Sequence, residues 1–282
     1  MTYFSPQARN VLRKTVLYLL VAAGAAVMVL PFLWMVSTAL KEYAYILEFP
    51  PRFIPEHPSL QNFLKAWEAN QFQLYFRNSL FVTTISVFLV VLLSAMMAYG
   101  FARFEFPGKE VLFFVFLIVL MVPNVVGIIP QFLLANSLGL RNSLFGLIFF
   151  YVSGSIPFNM FLLRGFFEAL PDELEDAILV DGGNYITIFR HMILPLSKPA
   201  LATVTIFSFL GFWDEYILAL TMIDDPAKRT LPVAIAAFQG QHGTDWGLVF
   251  AASLIAAVPV VAIFISVQRY FVGGITAGSF KG

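Results

Sequence analysis

PDELEDAILVDGGNYITIFRHMILPLSKP, residues Pro171 to Pro199, is an island of acidic residues and glycines between two long apolar runs, and the rest of the chain is read relative to it. Pro171, Asp172 and Glu173 suit a helix start, because proline presets φ and carboxylates favour the positive end of the helix dipole. Leu174, Ala177 and Ile178 then share one face. The pair Gly182-Gly183 stops this helix, and Asn184 is placed to cap a second whose apolar side is Ile186, Phe189 and Ile193. Leu194-Pro195 ends the second helix, since a proline removes a backbone donor and crowds the preceding turn. The stretch is expected to form a compact helix-turn-helix hairpin at a membrane surface.

Composition supplies the membrane. Of the 282 residues 59% are hydrophobic and 12% charged, whereas soluble domains carry roughly 25% charged residues. Formal net charge is zero, so no basic excess draws the chain to nucleic acid. Cysteine is absent, which excludes disulfides, iron–sulfur clusters and thiolate catalysis, and the three scattered histidines have no metal-ligand spacing. No cofactor or metal is expected.

Six apolar segments approach the ~20 residues that cross a ~30 Å hydrocarbon core. They run from Thr15 to Leu40, Leu80 to Ala102, Val111 to Ile129, Ser143 to Leu163, Ala200 to Met222 and Leu248 to Gln268. The first follows Arg9, Arg13 and Lys14 like a signal peptide, but it is too long for a signal core and reads as a retained span. Ten of the seventeen lysines and arginines fall on the side of the Pro171 hairpin, among them Arg103, Lys109, Arg164, Arg190, Lys198 and Arg269. The positive-inside rule then makes both termini and the hairpin cytoplasmic. The external segment Lys41 to Arg77 is proline-punctuated and holds a short amphipathic run, Leu60 to Trp67; the loop Asp224 to Asp245 is also external.

Pro31, Pro123, Pro130, Pro157 and Pro259 interrupt or border spans, and repeated interruptions suit a bundle around a wet pathway. Asn124 and Asn159 lie beside two of them. Trp213-Asp214-Glu215-Tyr216 sits near the middle of the fifth span, where a carboxylate costs about 2.5 to 3.5 kcal/mol. These residues mark either a translocation pathway or a helix contact. No Gly-x-x-x-x-Gly-Lys-Ser/Thr phosphate loop, Gly-x-Ser-x-Gly elbow or His-Glu-x-x-His pair is present, so ATP binding and hydrolytic catalysis have no support in the chain.

The hairpin resembles the EAA loop of ABC importer permeases, in which a Glu-Ala-Ala triplet precedes a glycine and, further on, a Leu-Pro pair. The matching residues are Glu175, Ala177, Asp181, Gly182, Ile193, Leu194 and Pro195, with Asp176 in place of the first alanine and Gly183 where alanine is frequent. Outside the loop the chain is similar to the MalG-type subunit of carbohydrate (maltose-type) ABC importers. The likeness runs through Asn78-Ser79-Leu80, Ala98-Tyr99, Ala102-Arg103-Phe104-Glu105-Phe106-Pro107-Gly108, Met121-Val122-Pro123 and Ile156-Pro157-Phe158-Asn159. Trp213-Asp214-Glu215-Tyr216 resembles a Trp-Asn-Glu-Phe element, and Gln268-Arg269-Tyr270-Phe271 with Gly274 to Gly282 completes the pattern.

The resemblance implies a MetI-like permease fold of six transmembrane helices in a bacterial or archaeal cytoplasmic membrane. It divides residues 1–282 into an amino-terminal span and external segment (1–76), a core bundle (77–270) with its coupling loop (166–198), and a cytoplasmic tail (271–282). It implies a second, non-identical permease subunit, two ATPase subunits docked on Glu175, Ala177, Asp181, Gly182, Gly183, Leu194 and Pro195, and an external solute-binding protein that delivers sugar. The tail, with Gly278, Phe280 and Lys281, is expected to be flexible and to approach the ATPase. A proton-coupled secondary transporter using Asp214 and Glu215 is the alternative, though no internal repeat accompanies it. A DNA-binding reading of the hairpin fails on charge, because its carboxylates outnumber Arg190 and Lys198 and would repel phosphate.

Overall fold

The computed structural model describes residues 6–42, 49–50, 52–240 and 243–278. The helices are α1 (Pro6–Ala39), α2 (Gln61–Glu68), α3 (Phe72–Arg103), α4 (Lys109–Leu120), α5 (Ile128–Ser137), α6 (Leu144–Glu168), α7 (Glu173–Val180), α8 (Tyr185–Ile188), α9 (Leu194–Leu196), α10 (Lys198–Trp213), α11 (Ile217–Met222), α12 (Leu231–Ala236) and α13 (Trp246–Gly278). A short antiparallel ribbon pairs Gln239 with Thr244 and Gly240 with Gly243. The architecture is otherwise all-α, as the composition requires of a chain that must satisfy its backbone within lipid.

Among the described residues four helical stretches are long and apolar enough to span a bilayer unaided: Arg9–Ala39, Phe72–Arg103, Leu144–Glu168 and Trp246–Tyr270. The remaining two candidates are bent, Lys109–Leu120 against Asn124–Ser137 by 96° and Tyr185–Leu196 against Lys198–Trp213 by 76°. The third span expected from Val111 to Ile129 is broken at Pro123, one of the prolines expected to interrupt or border a span. α4 ends at Leu120, and Pro123, extended at ψ 132° and without an N–H to donate, precedes a single-turn 3₁₀ helix, Asn124–Gly127, that leads into α5. The expectation that prolines interrupt or border spans is corrected at three of them: Pro31, Pro157 and Pro259 lie inside continuous helices. Pro130 falls in the first turn of α5, where the missing donor has no intrahelical partner to lose.

The chain forms two compact units. The first comprises Met1–Ala69 and Ile235–Ile255. Within it α1 is apolar all round and presents Leu17, Tyr18, Leu20, Val27 and Met28 outward, the pattern of a membrane helix. Its C-terminal carbonyls are met by α2: Asn62 Nδ2 donates to Ala39 O at 3.0 Å and to Lys41 O at 2.6 Å. The amphipathic run read from Leu60 to Trp67 is thus a helix whose buried residues Asn62 and Ala66 close the end of α1.

The second unit comprises Asn70–Ala234 and Ala256–Gly282. Here α3 and α6 pack along their length, with α10 against both. The buried face of α3 is built from Ser79, Thr83, Ser86, Ser94, Ala95 and Ala98, small residues that let neighbouring helices approach closely where lipid supplies no hydrophobic drive. One core cluster joins Val82, Leu147, Tyr151, Phe212 and Met222; a second joins Tyr99, Phe113, Met160, Phe167, Ile188 and Val204. Asn78 and Ser79 tie down the loop between α11 and α12, Asn78 Nδ2 donating to Ala227 O and Arg229 O and Ser79 Oγ accepting from Leu231 N at 2.7 Å.

The helix α13 continues past Tyr270 through Gly273 and Gly274 to Gly278. The tail expected to be flexible from Phe271 is helical over these residues: backbone hydrogen bonds propagate once a long helix exists, and helical glycines cost only about 1 kcal/mol each. Phe280 and Lys281 lie outside the described residues.

Candidate functional site

The Pro171 hairpin forms as expected, with details that sequence periodicity did not supply. Its first helix, α7, ends in a Schellman turn. Gly182 N donates to Leu179 O at 3.0 Å and Gly183 N to Ile178 O at 2.8 Å, the two bonds that satisfy orphan carbonyls at a helix end. Gly182 has φ +82°, and a Cβ at Gly183 would lie 2.8 Å from Ile178 O and 2.5 Å from its Cγ2. Both glycines are therefore demanded by backbone geometry, and alanine at 183 would require the turn to shift. Asn184 caps the next helix as expected, its Oδ1 accepting from Thr187 N at 2.9 Å.

The second arm does not end at Leu194-Pro195. The five residues Phe189–Ile193 form a π turn, and Leu194 N reaches back to Phe189 O. This wider turn carries the helix past Pro195 to Leu196, and the chain bends only at Ser197. The extra residue also moves the apolar stripe. Ile188, Met192 and Ile193 are buried against the core, while Ile186, expected on the inner side, is 75% exposed. In α7 the expected face of Leu174, Ala177 and Ile178 is likewise mostly outward, leaving only Glu175 and Ile178 half-buried. The hairpin thus leaves the apolar side chains Leu174, Leu179, Val180 and Ile186 exposed, Val180 by 86%.

Arg103, the last residue of α3, holds this hairpin. Its Nε lies 2.7 Å from Glu175 Oε1, its Nη2 donates to Leu170 O at 2.7 Å, and its Nη1 pairs with Asp172. The Arg103 and Glu175 side chains are 9% and 13% exposed. The Nε contact is a charge pair without hydrogen-bond alignment, and neither atom has another partner. Burial raises the Glu175 carboxyl above 4.5, Arg103 pulls it down, and Asp172 and Asp176 push it up. With the folded value raised, Glu175 favours the folded hairpin more as pH falls from that value towards 4.5, and this gain is lost as pH rises through it. We expect Glu175→Gln to flatten this dependence, measured as amide-exchange protection of residues 173–183 against pH.

Of the other matched positions, Ala177, Asp181 and Pro195 are exposed, and Leu194 is partly buried against the second core cluster. In the sequence Arg103 stands only among the cytoplasmic-side cations and in the Ala102 to Gly108 motif; its role as the hairpin's anchor follows from the ion pairs it makes with Asp172 and Glu175.

A cavity of about 500 Å³ opens between the break after α4, α5, α6, α10 and the start of α11. Asn124, Asn159 and Glu215 line it, whereas Trp213, Asp214 and Tyr216 do not. Trp213 is a helix contact, its Nε1 donating to Ala256 O at 3.0 Å and its ring stacked on Phe209 at 5.6 Å. The placement of Asp214 and Glu215 at mid-helix is corrected: α10 stops at Trp213 and α11 starts at Ile217, so both carboxylates sit in a helix break. Asp214 is exposed. Glu215 is held by three donors, Tyr151 OH at 2.7 Å, Leu218 N at 2.7 Å and Ala219 N at 2.9 Å. The carboxylate caps α11 and pins it to α6, which is why the helix break is stable within the bundle.

Glu215→Leu is therefore expected to destabilise the purified protein by at least ~2 kcal/mol, and Asp214→Leu by under ~0.5 kcal/mol. Thermal unfolding in detergent separates the two. Tyr151, Gln131 and Ser208, which complete the polar wall with Asn159 and Glu215, carry no sequence signal of their own, being single polar residues in apolar runs. Among the described residues no group of histidines and carboxylates has metal-binding geometry.

Residues 90–276 match the family described as binding-protein-dependent transport system inner membrane component. The diacetylchitobiose uptake system permease protein NgcG of Streptomyces coelicolor is 35% identical over 91% of this chain and 85% of its own. The trehalose/maltose transport system permease protein MalG of Thermococcus litoralis is 32% identical over 97% of this chain and 99% of its own. A solved bacterial ABC transporter involved in import of the acidic polysaccharide alginate contains a chain of the same fold, with TM-score 0.81 and 23% identity over 96% of this chain and 100% of that one.

Proposed function

Because the chain belongs to the inner-membrane components of binding-protein-dependent transport systems, we propose that it is one permease subunit of an ATP-driven sugar importer. It forms half of the translocation pathway and takes its power stroke through the Pro171 to Pro199 hairpin. The relatives are named for carbohydrate uptake, which supports sugar as the cargo. The hairpin carries the mechanical reading: exposed apolar side chains, Val180 and Ile186 foremost, on a two-helix element with both helix ends at its turn capped are what docking into a groove on a separate ATPase requires.

The remaining partners follow from that role: a second, non-identical permease subunit completes the pathway, two ATPase subunits bind at the cytoplasmic face, and a solute-binding protein delivers sugar from outside. Both termini and the hairpin are cytoplasmic, supported by the excess of lysine and arginine on that side. In this account force on the hairpin passes by two routes. Arg103 joins α7 to the end of α3, and the continuous arm from α8 to α9 joins it to α10 across the 76° bend. Since α10 walls the cavity, displacement of the hairpin moves that wall. A proton-coupled mechanism through Glu215 has little support, because its carboxylate is committed to three structural donors.

The absence of cysteine makes the docking directly testable. Val180→Cys and Ile186→Cys in the assembled complex are expected to cross-link to the ATPase with a short bifunctional maleimide, while a cysteine at exposed Val27 on α1 does not. Cross-linking from Val27 and none from either hairpin position would overturn the proposed docking face.

A further inference from the structure

The short helix α2 divides its circumference three ways. Asn62 and Ala66 are buried against the end of α1. Gln61, Lys65 and Glu68 are exposed and polar, and their spacing of four and three residues puts them on a second arc. The third arc is exposed as well, yet apolar: Leu60 at the N-cap, Leu64 and Trp67 leave 66%, 61% and 38% of their surfaces open. Capping α1 requires only the first arc, and a helix otherwise bathed in water would carry polar residues on both of the others.

The level of the apolar arc is set by its ties to α1. Arg9–Ala39 is long and apolar enough to cross the hydrocarbon core, and the first charges after it are Lys41 and Glu42, so Ala39 to Lys41 mark the boundary between lipid and water. Asn62 holds the carbonyls of Ala39 and Lys41, and Ser59 N donates to Leu40 O at 2.8 Å. Leu60 and Leu64 each stand two residues from Asn62, about 3 Å of helical rise, so both share its level. Aromatic packing marks the same boundary: the ring of Trp34 in α1 lies 5.7 Å from that of Phe53 and 4.9 Å from Lys41 Nζ, the company tryptophan keeps at the headgroups.

We propose that Leu60, Leu64 and Trp67 form a lipid-docking face that seats α2 in the boundary between headgroups and acyl chains, with Gln61, Lys65 and Glu68 turned to water. The partner is the bilayer itself, and apolar area holds it: α2 carries Lys65 and Glu68, one charge of each sign, so anionic headgroups are not required. The face fixes the level of α1, because α1 cannot slide along its axis without drawing Leu60 and Leu64 out of the boundary. The proposal rests on α1 as a span and is independent of the cargo.

Because the chain has no cysteine, single positions can be spin-labelled. Leu60→Cys, Leu64→Cys, Lys65→Cys and Val27→Cys are each prepared in the full chain in phosphatidylcholine vesicles and in the assembled complex. Collisions are measured with oxygen, which concentrates in lipid, and with a water-soluble nickel chelate. Oxygen is expected to exceed the chelate at Leu60 and Leu64 in both preparations, at a depth of about 5 to 10 Å below the headgroups, and the order to reverse at Lys65. In the full chain alone the Val27 label, about 18 Å along α1 from Ala39, is expected to lie deeper. Chelate access at Leu60 and Leu64 equal to that at Lys65 overturns the docking face and makes the arc a solvated surface. Low access to both agents at these leucines, in the chain alone or only on assembly, overturns it in favour of a protein contact. Chelate access at Val27 overturns the span, and the docking face with it.

Discussion

Replacing Gly182 with proline is expected to abolish sugar import by the assembled complex while leaving the chain inserted and its spans folded. Two independent faults arise at one position. Proline fixes φ near −65°, but the turn needs φ +82°. Proline also has no N–H, so the bond to Leu179 O is lost. Together these cost about 3 kcal/mol or more at the turn, enough to displace α8 relative to α7 and with it Ile186 relative to Val180. Import should fall below a tenth of wild type, and stimulation of ATP hydrolysis by loaded binding protein should vanish. Gly183→Val should act in the same direction through a different fault, the clash with Ile178. Full transport in Gly182→Pro would mean that the turn geometry is irrelevant to coupling.

The second large effect is expected at Arg103. Arg103→Ala removes the guanidinium that meets Leu170 O, Asp172 and Glu175 together, and it strands Glu175 in a site where it is largely buried. The Asp172 arm is solvent-exposed and adds little. The loss of the other two should weaken the attachment of α7 by about 2 to 3 kcal/mol. Lysine should not restore it, because a single ammonium cannot span acceptors arranged around a planar fork. Hydrogen exchange in the amides of residues 173–183 reads the effect without any partner protein, and uptake in the complex reads its consequence. Unchanged protection in Arg103→Ala would show that α7 is held by its apolar contacts alone.

The membrane class, the helical count and the hairpin were legible in the chain because each rests on a local rule. Apolar runs of spanning length, a Gly-Gly pair after an acidic helix start and an asparagine before a short apolar stretch act over a few residues. The helix break at Asp214-Glu215 was not legible, since two carboxylates in an apolar run look the same whether they face a channel or cap a helix. What decides it is Tyr151, far away in sequence, whose hydroxyl meets Glu215. The π turn was invisible for a related reason. Periodicity assumes 3.6 residues per turn, so one added residue before Pro195 carried Ile186 outward and the helix beyond its expected stop. Prolines misled in the opposite direction: at Pro157 the surrounding helices α3 and α10 hold α6 continuous, whereas at Pro123 the chain has turned by 96°.

The cavity shows the same limit. Asn124 and Asn159 stood out as polar residues beside prolines, but Ser208 and Gly211 became visible only when α10 was placed against α6. Trp213, followed by two carboxylates, read equally as a pathway residue or a helix contact, and only its partner Ala256 decides for the contact.

One measurement bears most directly on the claim that this chain is a pathway subunit driven by a separate ATPase. Reconstitute it in vesicles in two forms, alone with an imposed proton gradient and assembled with the second permease, the ATPases, ATP and loaded binding protein. The account expects saturable sugar uptake only from the assembled form, stopped by omitting ATP and unaffected by collapsing the gradient. Saturable, gradient-driven uptake by the chain alone would contradict it.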